Sequence, residues 1–288
     1  MEWYDGSTNE FHKASSMDKV WSLVRMNPRT GSNQPPTPDE RQIVPSWSGF
    51  HSVLFPHVER ATTIGYCPLI NGSSSEFSTI YTVMRNAQKM SASIGQQDAV
   101  ITFDLAIYMK AKQIQWKASP EFENAVIRMG GFHIAINFLS VIGKIYAESG
   151  LEDLLVESGV YAAGSTSALL AGKQYNRGVR AHKLVVEAFF RLSWKAFEKW
   201  RALSPLSQPC SPDVLYLFHS ASFSGPFNQL LDNIDKFQSK AKDAISLFEQ
   251  FKQESRTKSS LFAFWDDYCT IVNILLQFIK AERTGKVI

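Results

Sequence analysis

"DAVITFDLAIYMKAKQIQW", residues 98–116, sets the fold class. Ala99 to Phe103 is a short apolar run with the β-branched and aromatic content of a strand. Asp104 ends the run, and helical periodicity begins at once from Leu105. A second run, "NAVIRMGGFHIAI" at 124–136, repeats the arrangement: a strand passes into Gly130, Gly131 and His133, and a helix opens. Strands alternating with helices predict a partly parallel sheet.

Upstream, "QIVPSWSGFHSVLF" and "RATTIGYCPLI" have strand composition, giving expected strands near 43–54 and 61–70 beside those at 99–103 and 125–129. Between them, Phe77, Ile80, Tyr81 and Met84 recur at helical spacing, with Ser73, Ser74 or Ser75 as candidate caps. Before residue 43 the chain is polar, and Pro28, Pro35, Pro36 and Pro38 break any regular element after a short helix expected over Met17 to Met26. Beyond His133 every periodic segment is helical. The longest, "YNRGVRAHKLVVEAFFRLSWKAFEKW", puts Val185, Phe189, Leu192, Phe197 and Trp200 on one face. Helices are also expected near 226–253 and 260–283, after the break "SPLSQPCSPD". The expected architecture is a polar, proline-rich arm (1–42), an α/β core with a small mixed sheet (43–140) and a helical region (141–288). It is predominantly helical overall.

The chain has 288 residues and 44% hydrophobic side chains, enough to bury one large core or two modest ones. Its formal charge of +3 is too small to mark a nucleic-acid binder, so such a role needs a local patch. Three cysteines without C-x-x-C pairing fit a reduced, intracellular protein, and the N-terminus has no apolar signal segment. Asp266 and Asp267 interrupt the apolar run before Lys280, so a buried helix is expected there and no membrane span.

Three features carry candidate chemistry. Asp104 at a strand end is either a helix N-cap or a ligand in a two-metal phosphoryl-transfer site, which needs further carboxylates converging on it. His133 stands at the corresponding corner of the next strand. It is either a satisfied core group or one that binds phosphate, ligates metal or transfers protons. Lys173, Arg177, Arg180, His182 and Lys183 cluster, and Arg191 and Lys195 extend a basic stripe. At helical spacing Arg177, Arg180, Arg191 and Lys195 share one side, with Glu187 among them. Such a stripe is either a phosphate-binding surface or a solvated helix face. A P-loop, a G-x-S-x-G elbow and zinc-finger spacing are all missing.

"VPSWSGF", "GYCPLINGSSSEFSTIYTVM", "ITFDLAIYMKAKQIQW", "VIRMGGFHIAINFLSVIGKIYAESGLEDLLVESGVYAAGSTSALLAGKQYNRGVRAHKL" and "FWDDYCTIVNILLQFIKAERTG" follow one another from about residue 43. Together they resemble a family of transposon-associated proteins of invertebrate genomes, itself similar to transposases with a ribonuclease-H-like core interrupted by helical insertions. The resemblance implies two-metal DNA strand cleavage and transfer with Mg²⁺ or Mn²⁺, Asp104 as catalytic carboxylate and metal ligand, and His133 beside it. Where relatives carry first-strand aspartates, this chain has Ser48, Gly49 and Phe50, which cannot replace carboxylate ligands. Relatives also continue beyond "AERTG", so a last acidic ligand is expected to be missing, with Glu187 as a candidate substitute.

The expected function is therefore that of a transposase-like, DNA-associated nuclear protein, degenerate or truncated and weak or inactive in catalysis. Lys173, Arg177, Arg180, Lys183, Arg191 and Lys195 would hold the nucleic acid. The alternative is a helical interaction module with a protein partner or self-association.

Overall fold

The structure, a computed structural model, describes Asp18, residues 64–203 and residues 234–284. The expected arm, the strand near 43–54 and the break after 203 lie outside the described residues, as does the expected Met17–Met26 helix apart from Asp18. In chain order the elements are α1 (Phe77–Ser93), β1 (Ala99–Phe103), α2 (Leu105–Lys117), β2 (Ala125–Met129) and α3 (Gly131–Ile145). Then come α4 (Leu151–Glu157), α5 (Ala163–Leu170), α6 (Tyr175–Leu203), α7 (Ile234–Lys258) and α8 (Ser260–Thr284). Helix predominates, with a small α/β part, and everything described beyond His133 is helix or turn. The described residues form two compact units: 64–144 with 168–175, and Asp18 with 145–167, 176–203 and 234–284.

In the first unit β1 and β2 pair in parallel, Ala99 opposite Ala125 and Phe103 opposite Met129. Parallel strands need a crossover, which α2 and the loop after it supply. Both strands alternate. Ala99, Ile101, Ala125 and Ile127 are buried, while Val100, Thr102, Val126 and Arg128 are exposed on the other face. Ile80 and Met84 of α1 and Ala111 and Ile114 of α2 join the buried set, so both helices cover the same face. Phe122 of the crossover loop is fully buried and meets the Tyr81 ring edge-on at 5.2 Å. The Gln115 amide donates to the carbonyls of Phe122 (3.1 Å) and Ala125 (2.7 Å), leaving the loop's inner carbonyls satisfied. The Tyr81 hydroxyl donates to the Glu121 carboxylate at 2.6 Å, and Arg85 approaches that carboxylate at 3.3 Å.

Two expectations fail here. Residues 64–70 are not a strand: Tyr66 and Leu69 stand 95% and 102% exposed. Gly65 and Pro68 interrupt the run, and strand composition forms no strand without a ladder partner. Nor does a serine cap α1. Glu76 holds the N-cap position without a side-chain bond, while the hydroxyls of Ser73 and Ser75 lie 3.1 Å apart and bond each other.

Helix α3 is built for close approach. Leu139, Ile142 and Gly143 are buried on one side. A Cβ added at Gly143 would lie 1.9 Å from the Leu170 carbonyl oxygen, so backbone meets backbone at the end of α5. Gly172, with φ +76°, closes the following turn, and a Cβ there would lie 2.7 Å from the Ile136 carbonyl oxygen.

The second unit packs aromatics between long helices. Phe197 and Trp194 of α6 meet Phe248 of α7 at 5.4 and 5.2 Å, and Phe189 meets Trp265 of α8 at 4.8 Å. α7 turns into α8 through Ser259, whose hydroxyl accepts from the Phe262 amide at 3.1 Å. Lys252 and Arg256 of α7 then grip Asp266 at 2.8 and 2.9 Å, and Arg256 also holds Asp267 at 2.8 Å. The two aspartates that interrupt an apolar helix are thus matched by cations on its neighbour. Leu192 departs from the expected buried stripe and is 61% exposed, although Val185 and Phe197 on that stripe are buried. No helix among the described residues is long and apolar enough to cross a membrane.

Gly143→Ala and Gly172→Ala should each destabilise the chain by about 1–3 kcal/mol through overpacking, the second also through its left-handed backbone. Gly164→Ala, in the first turn of α5 with open space around the added Cβ, should be neutral or stabilising by up to about 1 kcal/mol. Urea unfolding midpoints of the three variants check the order.

Candidate nucleic-acid interface

The parallel register brings the carboxyl ends of β1 and β2 to one level, and the Gly130 amide donates to the Phe103 carbonyl at 2.8 Å. Asp104 and Gly130 therefore follow adjacent strand ends. Asp104 is exposed, with extended backbone (φ −67°, ψ 169°), and its Oδ1 accepts from the Ile107 amide at 2.8 Å. That bond is an N-cap, satisfying one of the orphan donors of α2. His133 lies in the first turn of α3, half-buried, with its ring 5.7 Å from Phe132, which meets Tyr175 at 5.0 Å. Among the described residues no group of three or more His, Cys, Asp or Glu side chains converges on one point. The described donors do not form a divalent-metal cage at Asp104. Glu187 belongs to the second unit, on α6, where its carboxylate takes Arg191 at 2.7 Å, one helical turn away.

The basic stripe survives in part as an exposed face. Arg177, Arg180 and Lys195 are exposed along α6, and Lys173 is exposed in the turn before it. Arg177 to Lys195 is 18 residues, about 27 Å of helix, or roughly eight base pairs of duplex. Arg177 is held at its base: its guanidinium lies 5.3 Å from the Tyr161 ring, and the Tyr161 hydroxyl donates to its carbonyl at 3.1 Å. Arg191 is engaged by Glu187, and Lys183 is only half-exposed. The arrangement offers separated cations with a carboxylate between them, suited to phosphates spaced along a backbone and poor at holding a single anion.

His182, a sequence neighbour of these cations, is fully buried and belongs to the core instead. Its Nδ1 lies 2.7 Å from the Tyr268 hydroxyl, and its Nε2 is buried without a hydrogen-bond partner among the described residues. Burial lowers its pKa from 6.5 to about 4 and pushes the Tyr268 phenol well above its usual value. Sequence reasoning grouped His182 with Lys183, yet helical spacing carried the signal: Gly178, Ala181, His182 and Val185 form one buried stripe. Burial also pushes the Cys269 thiol up to about 12, so that thiol is a poor nucleophile.

Asp104→Asn should change stability little and Asp104→Ala should cost about 0.5–2 kcal/mol, because asparagine caps as aspartate does; thermal unfolding checks both. His182 binds its proton more weakly folded than unfolded, so its contribution is complete above pH 6.5 and is lost as pH falls from 6.5 through about 4. The loss should be on the order of 3 kcal/mol. His182→Gln, which can still bond Tyr268, should flatten that part of the stability–pH curve relative to the unaltered chain.

The model of the family described as Domain of unknown function (DUF8702) matches residues 46–287, a span that takes in both strand ends, the α6 face and the α7–α8 hairpin. No curated protein and no solved structure matches the chain. On the family match, which covers most of its length, the chain belongs to the family Domain of unknown function (DUF8702).

Proposed function

We propose that the protein is a transposase-like, DNA-associated nuclear protein that acts by binding. The observation that carries this reading is the exposed cationic face of α6, with Arg177, Arg180 and Lys195 spread over a rigid helix of 29 residues. Spacing on a preformed helix matters because its cations neutralise phosphates without the entropy cost of ordering a flexible segment. Arg191 adds to the face at a discount, since Glu187 already takes its guanidinium.

The Mg²⁺ or Mn²⁺ chemistry of the resembled transposases does not enter this reading. Asp104 spends one carboxylate oxygen on the Ile107 amide, and the described residues bring no third ligand to it, so no step is derived through a metal. His133, at the start of α3, neighbours the same strand-end corner. A second reading, a helical interaction module, is favoured by the large apolar side chains exposed on the second unit, Leu192 at 61% and Leu261 at 67%.

The combined Arg177→Gln, Arg180→Gln and Lys195→Gln protein should bind duplex DNA more weakly at low salt. The slope of log affinity against log salt should fall by roughly 0.9 for each phosphate that is no longer neutralised. Titrations at several salt concentrations measure the slope. An unchanged slope and affinity would favour the interaction module.

A further inference from the structure

The exposed face of α6 is not uniformly basic. Its cations stand towards the two ends, Arg177 and Arg180 near the start, Lys195 and Lys199 near the finish. Between them the same face carries Leu184, 39% exposed, and Ala188. It also carries Glu187 and Arg191, which neutralise each other at 2.7 Å. Glu198, the other carboxylate on this face, accepts from the Trp194 ring N–H at 3.2 Å. On a helical projection these charged and small residues share an arc of about 120°. Every ring of α6 falls outside that arc. Phe189 packs on Trp265, and Trp194 and Phe197 pack on Phe248.

The spacing of the two cation pairs has a counterpart in duplex DNA. Arg180 and Lys195 are separated by about 22 Å of helix axis. One turn of B-DNA is roughly 34 Å, and its grooves divide that turn in about the 2:1 ratio of their widths. The two backbones that flank the major groove therefore stand roughly 23 Å apart along the duplex axis. A helix laid along the duplex over that groove meets phosphates at its two ends and none between. The order of α6, cations, then a neutral stretch, then cations, repeats this pattern. A single strand has no second backbone at a fixed distance, and it is held largely by rings on which its bases stack. The rings of α6 are turned to the other side.

We infer that α6 bridges the major groove of duplex DNA. Arg177 and Arg180 take one backbone, Lys195 and Lys199 take the other, and Leu184 and Ala188 lie over the groove. Arg191 stays with Glu187, because no phosphate stands opposite it. This inference rests on the DNA-binding reading above and adds to it the form of DNA that is recognised and the spacing that recognises it.

Two measurements on the full chain test the bridge. The first compares a duplex of roughly 20 base pairs, about two turns, with either of its separated strands, at several salt concentrations. Four cations meet phosphates on the duplex and one pair does on a strand. The slope of log affinity against log salt should therefore be steeper on the duplex by roughly 2, and the duplex should bind at least about ten-fold tighter at low salt. The second measurement moves one cation without changing the charge. The double variant Arg180→Ala, Ala188→Arg places it over the groove, and both positions are exposed. This protein should bind the duplex as weakly as Arg180→Ala alone, with a slope lower by roughly 0.9 than that of the unaltered chain. Should the double variant lose its helical circular dichroism, the comparison of duplex and strand, made on the unaltered chain, decides. Equal slopes on duplex and strand would overturn the bridge and leave DNA association standing. A folded double variant that binds as the unaltered chain does would do the same. Absence of salt-dependent binding to either form would overturn the DNA-binding reading itself, and the bridge with it.

Discussion

Two strands that run in the same direction cannot be joined by a tight turn, and the first unit is organised around that constraint. The chain must leave the end of β1, cross over the sheet and re-enter at the start of β2. Here the crossover helix begins two residues after the strand's last residue, so the one residue between them both follows the strand and caps the helix. Asp104 does both with one oxygen on the Ile107 amide. The same geometry brings Gly130 level with Asp104 and opens α3 there. Covering one face with α1 and α2 buries Phe122 and the inner residues of both strands, each worth roughly 1.5–3 kcal/mol when a large apolar side chain is fully removed from water.

The second unit solves a different problem, that of joining three long helices whose contacts are mainly aromatic. Rings alone set distance but tolerate sliding, because a T-shaped pair and a tilted pair differ little in energy. Charge fixes the register instead. Asp266 is held between Lys252 and Arg256, and Trp200 donates to Glu254 at 3.1 Å, tying α7 to both α6 and α8. Partly buried ion pairs of this kind are costly to break singly, which favours one register over its neighbours more than it raises total stability. The His182–Tyr268 bond adds a directional contact between α6 and α8.

Much of this was legible in the sequence, and the exceptions share a cause. β1 and β2 fall at the expected residues because each is a short, β-branched apolar run bounded by charge or glycine. The spacing of α6 put Val185 and Phe197 in the core correctly, yet it also assigned Leu192 there, since a helical projection gives an angle and not what stands opposite. Residues 64–70 read as a strand on composition, but a strand is a property of a pair. At Asp104 the sequence could name two roles and not choose, because a cap depends on local spacing and a metal site on residues far away in the chain. For Glu187 the choice was closer at hand: an arginine four residues later is a local partner, and the ion pair to Arg191 is the one that forms.

The contact between Gly143 and the Leu170 carbonyl has an architectural consequence. The chain departs from the α/β unit at residue 145 and returns at 168, and the two ends of that excursion are clasped backbone to backbone at its base. The excursion is therefore a closed loop in the polymer sense, whose closure entropy is met at the clasp and grows only slowly with contour length. The excursion itself is anchored in the second unit, where Tyr146 meets Tyr268 at 4.9 Å and Leu151 and Leu155 are buried. Any side chain at position 143 would force the clasp apart, so the closure of the loop rests on that one glycine.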